Sequence, residues 1–133
     1  MERYEIVWDG GSLGNPGHGY GSYRLRNPRG REIYEKLDFA DLGDKVTNNQ
    51  AEYLTLIRAM ERLRHLLGDR AKNVSVLIQG DSQLVINQVT GSWKVKNAAL
   101  RPLHLRATAL LPEFGAVEFA WHPRANSVAV LGH

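Results

Sequence analysis

The pattern of apolar and polar residues in the first third of the chain predicts three strands. Residues 4–8 form a short apolar run, YEIVW, that is typical of a strand. The stretch DGGSLGNPGHG follows it and predicts a loop, because glycine, asparagine and proline favour turns. The segments YGSYRLRN and REIYEKLDF flank the turn NPRG and predict a second and a third strand, which would complete an antiparallel meander.

Helical spacing is the main feature of the rest of the chain. Thr47 can cap a long helix in which apolar residues recur every three or four positions: Leu56, Ile57, Met60, Leu63 and Leu67. Shorter helices are predicted in DSQLVINQVTG, which ends near Gly91, and in the leucine-rich segment before Pro112. Residues 73–80 and Ala116–Trp121 predict the fourth and fifth strands. This order predicts an α/β fold in which a five-stranded mixed sheet, antiparallel over its first three strands, is flanked by helices.

Length and composition fit one globular domain over residues 1–133. A chain of 133 residues can bury one core but is too short for two domains. No apolar run approaches the ~20 residues of a membrane span, and MERYEIVW carries charges where a signal peptide needs an apolar stretch. The absence of cysteine excludes disulfides, thiolate metal sites and cysteine nucleophiles. We therefore expect a cytoplasmic protein that does not associate with membranes.

The charge of the chain says little about its partner. A net charge of +3 favours a polyanionic partner. A slightly basic enzyme with no nucleic-acid role would have the same charge, so charge alone leaves both classes open.

Three acidic residues stand where predicted strands and helices meet. Asp9 ends the first strand, Glu52 lies in the first turns of the long helix, and Asp81 directly follows the fourth strand. If strands one and four are neighbours, both aspartates emerge at the sheet edge where open α/β sheets bind ligands. Clustered carboxylates raise one another's pKa unless a cation lies between them, and oxygen ligands favour Mg²⁺ or Mn²⁺. Two such ions ~3.5–4 Å apart can activate water and stabilise the leaving oxygen of a phosphodiester.

Each of these acids also has a purely structural interpretation. Asp81 precedes a helical segment and could be its N-cap. Glu52 could interact with the dipole of its own helix. The spacing of all three acids favours the catalytic interpretation without excluding these alternatives.

Four stretches of the sequence resemble the type 1 ribonuclease H family. They are DGGSLGNPG, TNNQAEYLTLIRAM, GDSQLVINQVTG and WKVKN, and they occur in that family's order and at its intervals over residues 4–124. The resemblance is to short forms, because GSWKVKN passes directly into the next helix, where larger members insert a basic protrusion. It implies metal-dependent cleavage, with Mg²⁺ or Mn²⁺ as two bound ions, of the RNA strand of RNA–DNA hybrids. Asp9, Glu52 and Asp81 would be the metal ligands, with Asp9 bridging both ions.

The resemblance also implies contacts to the RNA strand. The backbone of Gly10 and Gly11 lies where the family approaches that strand, and glycine permits a close approach. Asn48, Gln50 and Gln83 match positions that contact 2′-hydroxyls and minor-groove edges, and the 2′-hydroxyl distinguishes RNA from DNA.

A second group of residues would bind the DNA strand. Asn15 and Thr47 match positions that hold a DNA phosphate. Trp93, Lys94 and Lys96 match a strip on which the indole packs against a sugar while the ammonium groups neutralise phosphates. Taken alone, WKVK is also typical of a core tryptophan beside solvated lysines.

The C-terminal segment departs from the family pattern. Many members have a fourth carboxylate in a string like W-x-P-R-x-x-N-x-x-A-D, whereas this chain has WHPRANSVAV, one residue short between its arginine and asparagine. Counted from Asn126 the expected aspartate falls on Val130, and counted from Pro123 it falls on Leu131. Neither can bind a metal. The final helix should be truncated or absent.

Three explanations compete for the missing ligand. Asn126 could supply a neutral oxygen, which we favour, or a histidine of the tail, His122 or His133, could approach the metal. Alternatively the fourth ligand is absent and catalysis is slow. Larger members also place a histidine on a mobile loop after the last strand, where it assists proton transfer or product release. His122 could do the same or could only cap strand five.

These features predict an endoribonuclease that hydrolyses the RNA strand of RNA–DNA hybrids and leaves 5′-phosphate and 3′-hydroxyl ends. We expect a monomer with no obligate protein partner. The alternative is a hybrid-binding module with weak or lost catalysis. A third possibility is a DNA nuclease of the same fold, such as a transposase or resolvase core, but GNPG and TNNQAE disfavour it.

Overall fold

A computed structural model describes residues 1–132 and shows one five-stranded sheet with strand order β3-β2-β1-β4-β5. The strands are β1 (Glu2–Leu13), β2 (His18–Arg26), β3 (Glu32–Asp38), β4 (Val74–Gly80) and β5 (Ala116–Trp121). The helices are α1 (Asn48–Leu67), α2 (Gln83–Val89), α3 (Arg101–Leu110) and α4 (Arg124–Leu131). Short 3-10 turns occupy Ala40–Leu42, Gly68–Asn73 and Leu111–Glu113.

The sheet is mixed, as the sequence predicts. Strands β1, β2 and β3 pair antiparallel, whereas β4 pairs parallel with both β1 and β5. Helix α1 packs on β1 and β2, and α4 contacts the same two strands. The main core lies between the sheet and α1, where the following side chains are at most 1% exposed: Ile6, Trp8, Tyr23, Leu56, Ile57, Met60 and Ile78.

Helix α1 begins with the cap that the sequence predicts. Thr47 Oγ1 accepts a hydrogen bond from the Gln50 N–H at 3.1 Å, and Gln50 Oε1 accepts one from the Thr47 N–H at 2.9 Å. This reciprocal pair is a capping box, which satisfies two otherwise unpaired backbone donors. It fixes the residue at which α1 starts and therefore where Glu52 stands.

Strand β1 is longer than the sequence pattern indicates. The prediction that the chain turns into a loop directly after Trp8 is wrong, because β1 pairs with β2 as far as Leu13 opposite His18. Gly10 is needed because α1 lies close to the strand: a Cβ there would be 2.6 Å from the backbone of Ala51. The glycine at this position therefore reflects close packing rather than a turn.

The last helix, α4, is short. Helix α4 has 8 residues and buries Ser127 and Leu131. Gly132 follows it in the left-handed conformation, at φ 85°. None of the helices within residues 1–132 combines the length and apolar character that crossing a membrane requires.

Candidate active site

The three predicted acids come together at one edge of the sheet. Strands β1 and β4 are parallel neighbours with Val7 opposite Gln79, so the same register places Asp9 level with Asp81. Burial raises the pKa of Asp9 to about 6, and the nearby Asp81 carboxylate adds to the rise. The Gly10 N–H, which donates to Asp9 Oδ1 at 2.9 Å, and the charge of Arg124 oppose it. Asp9 therefore lies in a poorly solvated and negatively charged position.

Glu52 shares this environment from the helix side. Burial raises its pKa to about 7, and the charges of Asp81 and Asp9 contribute. The Ser82 hydroxyl donates a hydrogen bond to the Glu52 carboxylate, which lowers the pKa but does not cancel the rise. Because burial, with a further contribution from neighbouring carboxylates, raises both pKa values, a cation at this place would be stabilised.

One buried indole connects the backbones that carry the acids. Trp8, immediately before Asp9, donates from Nε1 to the Glu52 carbonyl at 3.0 Å. Its ring also fills the space beside Gly80, where a Cβ would lie 2.5 Å from the ring. Gly80 immediately precedes Asp81, so Trp8 is in contact with all three acid-bearing segments.

The structural interpretations of the acids are wrong. The N-cap of α2 is Ser82, whose Oγ accepts from the Val85 N–H at 3.1 Å, so Asp81 does not cap that helix. Glu52 is the fifth residue of α1, and the first turn of α1 contains no acidic residue. Neither acid is therefore explained by helix formation.

The acids fit a divalent cation by chemistry, although their side chains are not already arranged around one point. Within residues 1–132, no group of three or more acidic or histidine side chains has an arrangement that could hold a metal ion. Carboxylates repel one another, and Asp9 and Glu52 instead accept hydrogen bonds from Gly10 and Ser82. Oxygen donors are the ligands that Mg²⁺ and Mn²⁺ prefer. Ligation would therefore require the carboxylates to rearrange from these positions.

The β1–β2 connection and the start of α1 form a surface that offers hydrogen-bond donors. Asn48 Oδ1 accepts from the Ser12 N–H at 2.8 Å, and Asn15 Oδ1 accepts from the Asn48 N–H at 3.0 Å. Thr47 and Gln50 likewise use their oxygens in the capping box. The oxygen of each of these side chains accepts a hydrogen bond from a backbone N–H of the protein. The amide N–H and hydroxyl groups therefore remain as donors for a ligand. Such a surface suits phosphate and sugar oxygens.

Trp93 and its lysines lie on the surface beyond α2. Trp93 is 49% exposed, so the alternative that it is a core residue is wrong. Lys94 and Lys96 are also exposed, and all three side chains line a shallow cleft next to Gln88. Gln83, the first residue of α2, is exposed as well. An exposed indole beside ammonium groups can bind a sugar–phosphate strand.

The tail residues have different environments. His122 is 7% exposed, its Nε2 lies 2.8 Å from Ser127 Oγ, and its backbone N–H donates to the Gly80 carbonyl. Burial lowers the pKa of His122, against the charge of Asp81. These contacts fit a packing role for His122 between β5 and α4. His133 lies outside the described residues.

The positions counted for the fourth acid lie on α4. Leu131 is buried and Val130 is half-buried, and both are apolar. Asn126 is exposed and stands one helical turn before Val130, so it belongs to the same stripe of the helix. Arg124 is the residue of this helix that acts on the acids, since its charge lowers the pKa of Asp9. In the sequence, Arg124 is recognisable only as part of the string WHPRANSVAV; its position at the start of a helix directly after the last strand is the signal that points to a role.

Sequence comparison shows the family to which the chain belongs. Residues 8–131 match the sequence profile of the family described as reverse transcriptase-like. A bifunctional protein of Mycobacterium tuberculosis is 37% identical over 92% of this chain, which spans only 32% of that protein's length. Ribonuclease HI of Halobacterium salinarum is 35% identical over 94% of this chain, which spans 59% of its length.

Solved structures show the same fold. The crystal structure of the Halobacterium salinarum RNase H1 has a TM-score of 0.79 at 33% identity and covers 97% of this chain and 93% of that one. LC11-RNase H1, isolated from compost and solved in complex with an RNA/DNA hybrid, has a TM-score of 0.79 at 28% identity. That likeness covers 95% of this chain and 89% of the other. The chain belongs to the reverse transcriptase-like family and has the ribonuclease H fold of the type 1 enzymes.

Proposed function

We propose that this protein is a ribonuclease H that hydrolyses the RNA strand of RNA–DNA hybrids. The observation that carries the proposal is the meeting of Asp9, Glu52 and Asp81 at one sheet edge, where the pKa of the first two is raised. A related protein, LC11-RNase H1, forms a complex with an RNA/DNA hybrid. The donor-rich surface beside the acids supports the same class of substrate.

Divalent cations would be held by the three acids. We propose two ions, Mg²⁺ or Mn²⁺, and Asp9 would bridge both, as the resemblance to type 1 ribonucleases H implies. Such ions activate water and stabilise the leaving oxygen of a phosphodiester. Asn126 is our candidate for a neutral fourth ligand. An amide oxygen binds a hard cation more weakly than a carboxylate, so we expect a high demand for metal.

The protein groups would position and distinguish the two strands. We assign the RNA strand to the backbone of Gly10 and Gly11 and to three side chains: Asn48, Gln50 and Gln83. The amide of Asn48, whose oxygen is held by Ser12, can donate to a ribose 2′-hydroxyl. This contact would favour RNA over DNA at the cleaved strand.

The DNA strand would lie across the other donors. Asn15 and Thr47 keep an amide and a hydroxyl donor for a phosphate, because their oxygens are already bonded within the protein. Trp93, Lys94 and Lys96 would bind the same strand further along. Water attack on the scissile phosphate with release of the 3′-oxygen leaves 5′-phosphate and 3′-hydroxyl ends.

The experiment uses a hybrid whose RNA strand carries a 5′ label, incubated with Mg²⁺ or Mn²⁺. We expect cleavage that Asp9→Asn abolishes and that Asp44→Asn, at an exposed loop position, leaves unchanged. Duplex DNA, duplex RNA and single-stranded RNA should resist. Cleavage of duplex DNA, or of hybrid by Asp9→Asn at the native rate, would contradict the assignment.

A second candidate is a hybrid-binding module without efficient catalysis. Two observations favour it: residues 120–133 contain no acid, and the described acids are not already arranged around a metal. Tight hybrid binding with no cleavage by the native chain in either metal would identify this function. An Asn126→Ala variant that cleaves normally would leave the tail without a role in ligation.

A further inference from the structure

A cavity far from the acids has an apolar floor and a basic rim. It has a volume of about 150 Å³ and lies where the C-terminal end of α1 meets the β2–β3 turn. Apolar side chains form the floor: Tyr4, Leu25, Ile33, Leu63 and Leu67. Three arginines reach its mouth: Arg26, Arg31 and Arg70.

The three arginines differ in whether their guanidinium groups form ion pairs within the protein. Arg26 donates to Glu32 at 2.7 Å and lies 3.8 Å from Glu5, so its charge is balanced inside the protein. Arg31 and Arg70 are exposed, and neither guanidinium makes an ion pair or side-chain hydrogen bond within residues 1–132. Two cationic groups at the mouth of an apolar cavity are therefore available to an anion.

This cavity is separate from the candidate active site. Glu52 stands near the start of α1, whereas Leu66 lies at the mouth of the cavity near its end. Fourteen residues of helix correspond to roughly 21 Å along its axis. A ligand here would not touch the acids.

We propose that the cavity binds an acidic peptide segment of a partner protein through one large apolar side chain. A cavity of about 150 Å³ admits a group the size of a benzene ring, which fits a phenylalanine or leucine side chain. A long lipid tail or a nucleoside is too large for it. Carboxylates flanking the anchor would bind Arg31 and Arg70, since guanidinium groups form paired hydrogen bonds with carboxylates.

The test measures fluorescence anisotropy of a labelled nonapeptide with the sequence EDEDFDEDE. We expect saturable binding below about 100 µM, and loss of roughly tenfold in affinity when alanine replaces the phenylalanine. Arg31→Glu and Arg70→Glu should each weaken binding roughly tenfold. Arg58→Glu, at an exposed position of α1 outside the cavity, makes the same change in net charge and should have little effect.

A second variant tests the cavity rather than its charge. Leu66 is 49% exposed at the mouth, so Leu66→Trp should block entry without unfolding the core. The inference is overturned if the peptide does not bind at 1 mM or about that concentration. It is also overturned if the alanine peptide binds as well, if Arg58→Glu weakens binding equally, or if dodecanoate or a hybrid competes at this site instead.

This inference does not depend on the proposed catalysis. Arg31→Glu and Arg70→Glu should cleave hybrid at the native rate, and Asp9→Asn should bind the peptide with native affinity. Failure of the peptide to bind would therefore leave the catalytic assignment intact.

Discussion

Replacing Asp9 by asparagine should stabilise the folded protein while abolishing cleavage. The side chain keeps its shape, and its amide oxygen can still accept the hydrogen bond from the Gly10 N–H, which is 2.9 Å long in the native protein. What disappears is a partly buried charge that is repelled by the Asp81 carboxylate. The substitution therefore removes an electrostatic cost with little change in packing.

The magnitude follows from the pKa of Asp9. A rise from 3.8 to about 6 corresponds to ~3 kcal/mol of preference for the neutral carboxyl group in the folded state. Part of the carboxyl group remains open to water, and screening reduces the expected gain to about 1–2 kcal/mol. The gain in free energy of unfolding should appear at neutral pH and in the absence of divalent cations.

The gain in stability should depend on pH. The folded state binds the proton more tightly than the unfolded state, so native stability should fall as pH rises from about 4 through 6. Below pH 4 or thereabouts the carboxyl group is neutral in both states, and the native protein and Asp9→Asn should differ little. The difference should grow with pH and reach its full size near pH 7.

Urea unfolding followed by circular dichroism, in a chelating buffer from pH 4.5 to 7.5, measures this difference. Asp44→Asn is the control. Mg²⁺ should then stabilise the native protein more than the variant, because only the intact site binds it well. A gain that is the same at every pH, or a variant less stable than native at pH 7.5, would refute the electrostatic explanation.

Four other variants test separate parts of the structure. Gly10→Ala places a methyl group against the α1 backbone and should cost roughly 1–3 kcal/mol of stability in thermal unfolding, with loss of cleavage. Arg124→Ala removes a positive charge that lowers the pKa of Asp9, so the acidic limb of the pH–rate profile should move to higher pH. Val130→Asp should reduce the Mg²⁺ concentration required for half-maximal cleavage, and an unchanged requirement would argue against a ligand position there. Trp93→Ala should raise the hybrid Kd by roughly ten- to a hundredfold in anisotropy titrations without changing single-turnover cleavage at saturation.

Some elements follow from local sequence and others do not. The start of α1 is predictable, because Thr47 and Gln50 cap the helix through each other's backbone. Strand β5 is predicted with its observed bounds, since AVEFAW lies between clear turn signals. The length of β1 cannot be predicted from the local sequence. Gly10 taken alone indicates a turn, whereas in the structure it permits the close contact between β1 and the backbone of Ala51.

Only some features of the candidate active site can be predicted from the sequence. Asp9 and Asp81 lie close together because β1 and β4 are neighbouring strands. The sequence predicts both strands but does not show that they pair with each other. The effect of Arg124 on the pKa of Asp9 cannot be predicted from the sequence. It depends on the packing of α4 against the sheet, and residue spacing along the chain does not determine that packing. Exposure of Trp93 was also undecidable from the WKVK pattern alone.

The indole of Trp8 has a consequence for how fast the site can respond to metal. Because Trp8 contacts the segments of Asp9, Glu52 and Asp81, the core holds their backbones in place whether or not a cation is bound. Loading an ion would then involve rearrangement of carboxylate side chains on a fixed backbone, and side-chain motion is far faster than the ordering of a loop. The rate of metal capture should therefore be set by dehydration of the ion, and the protein should not need to refold around its cofactor each time the ion leaves.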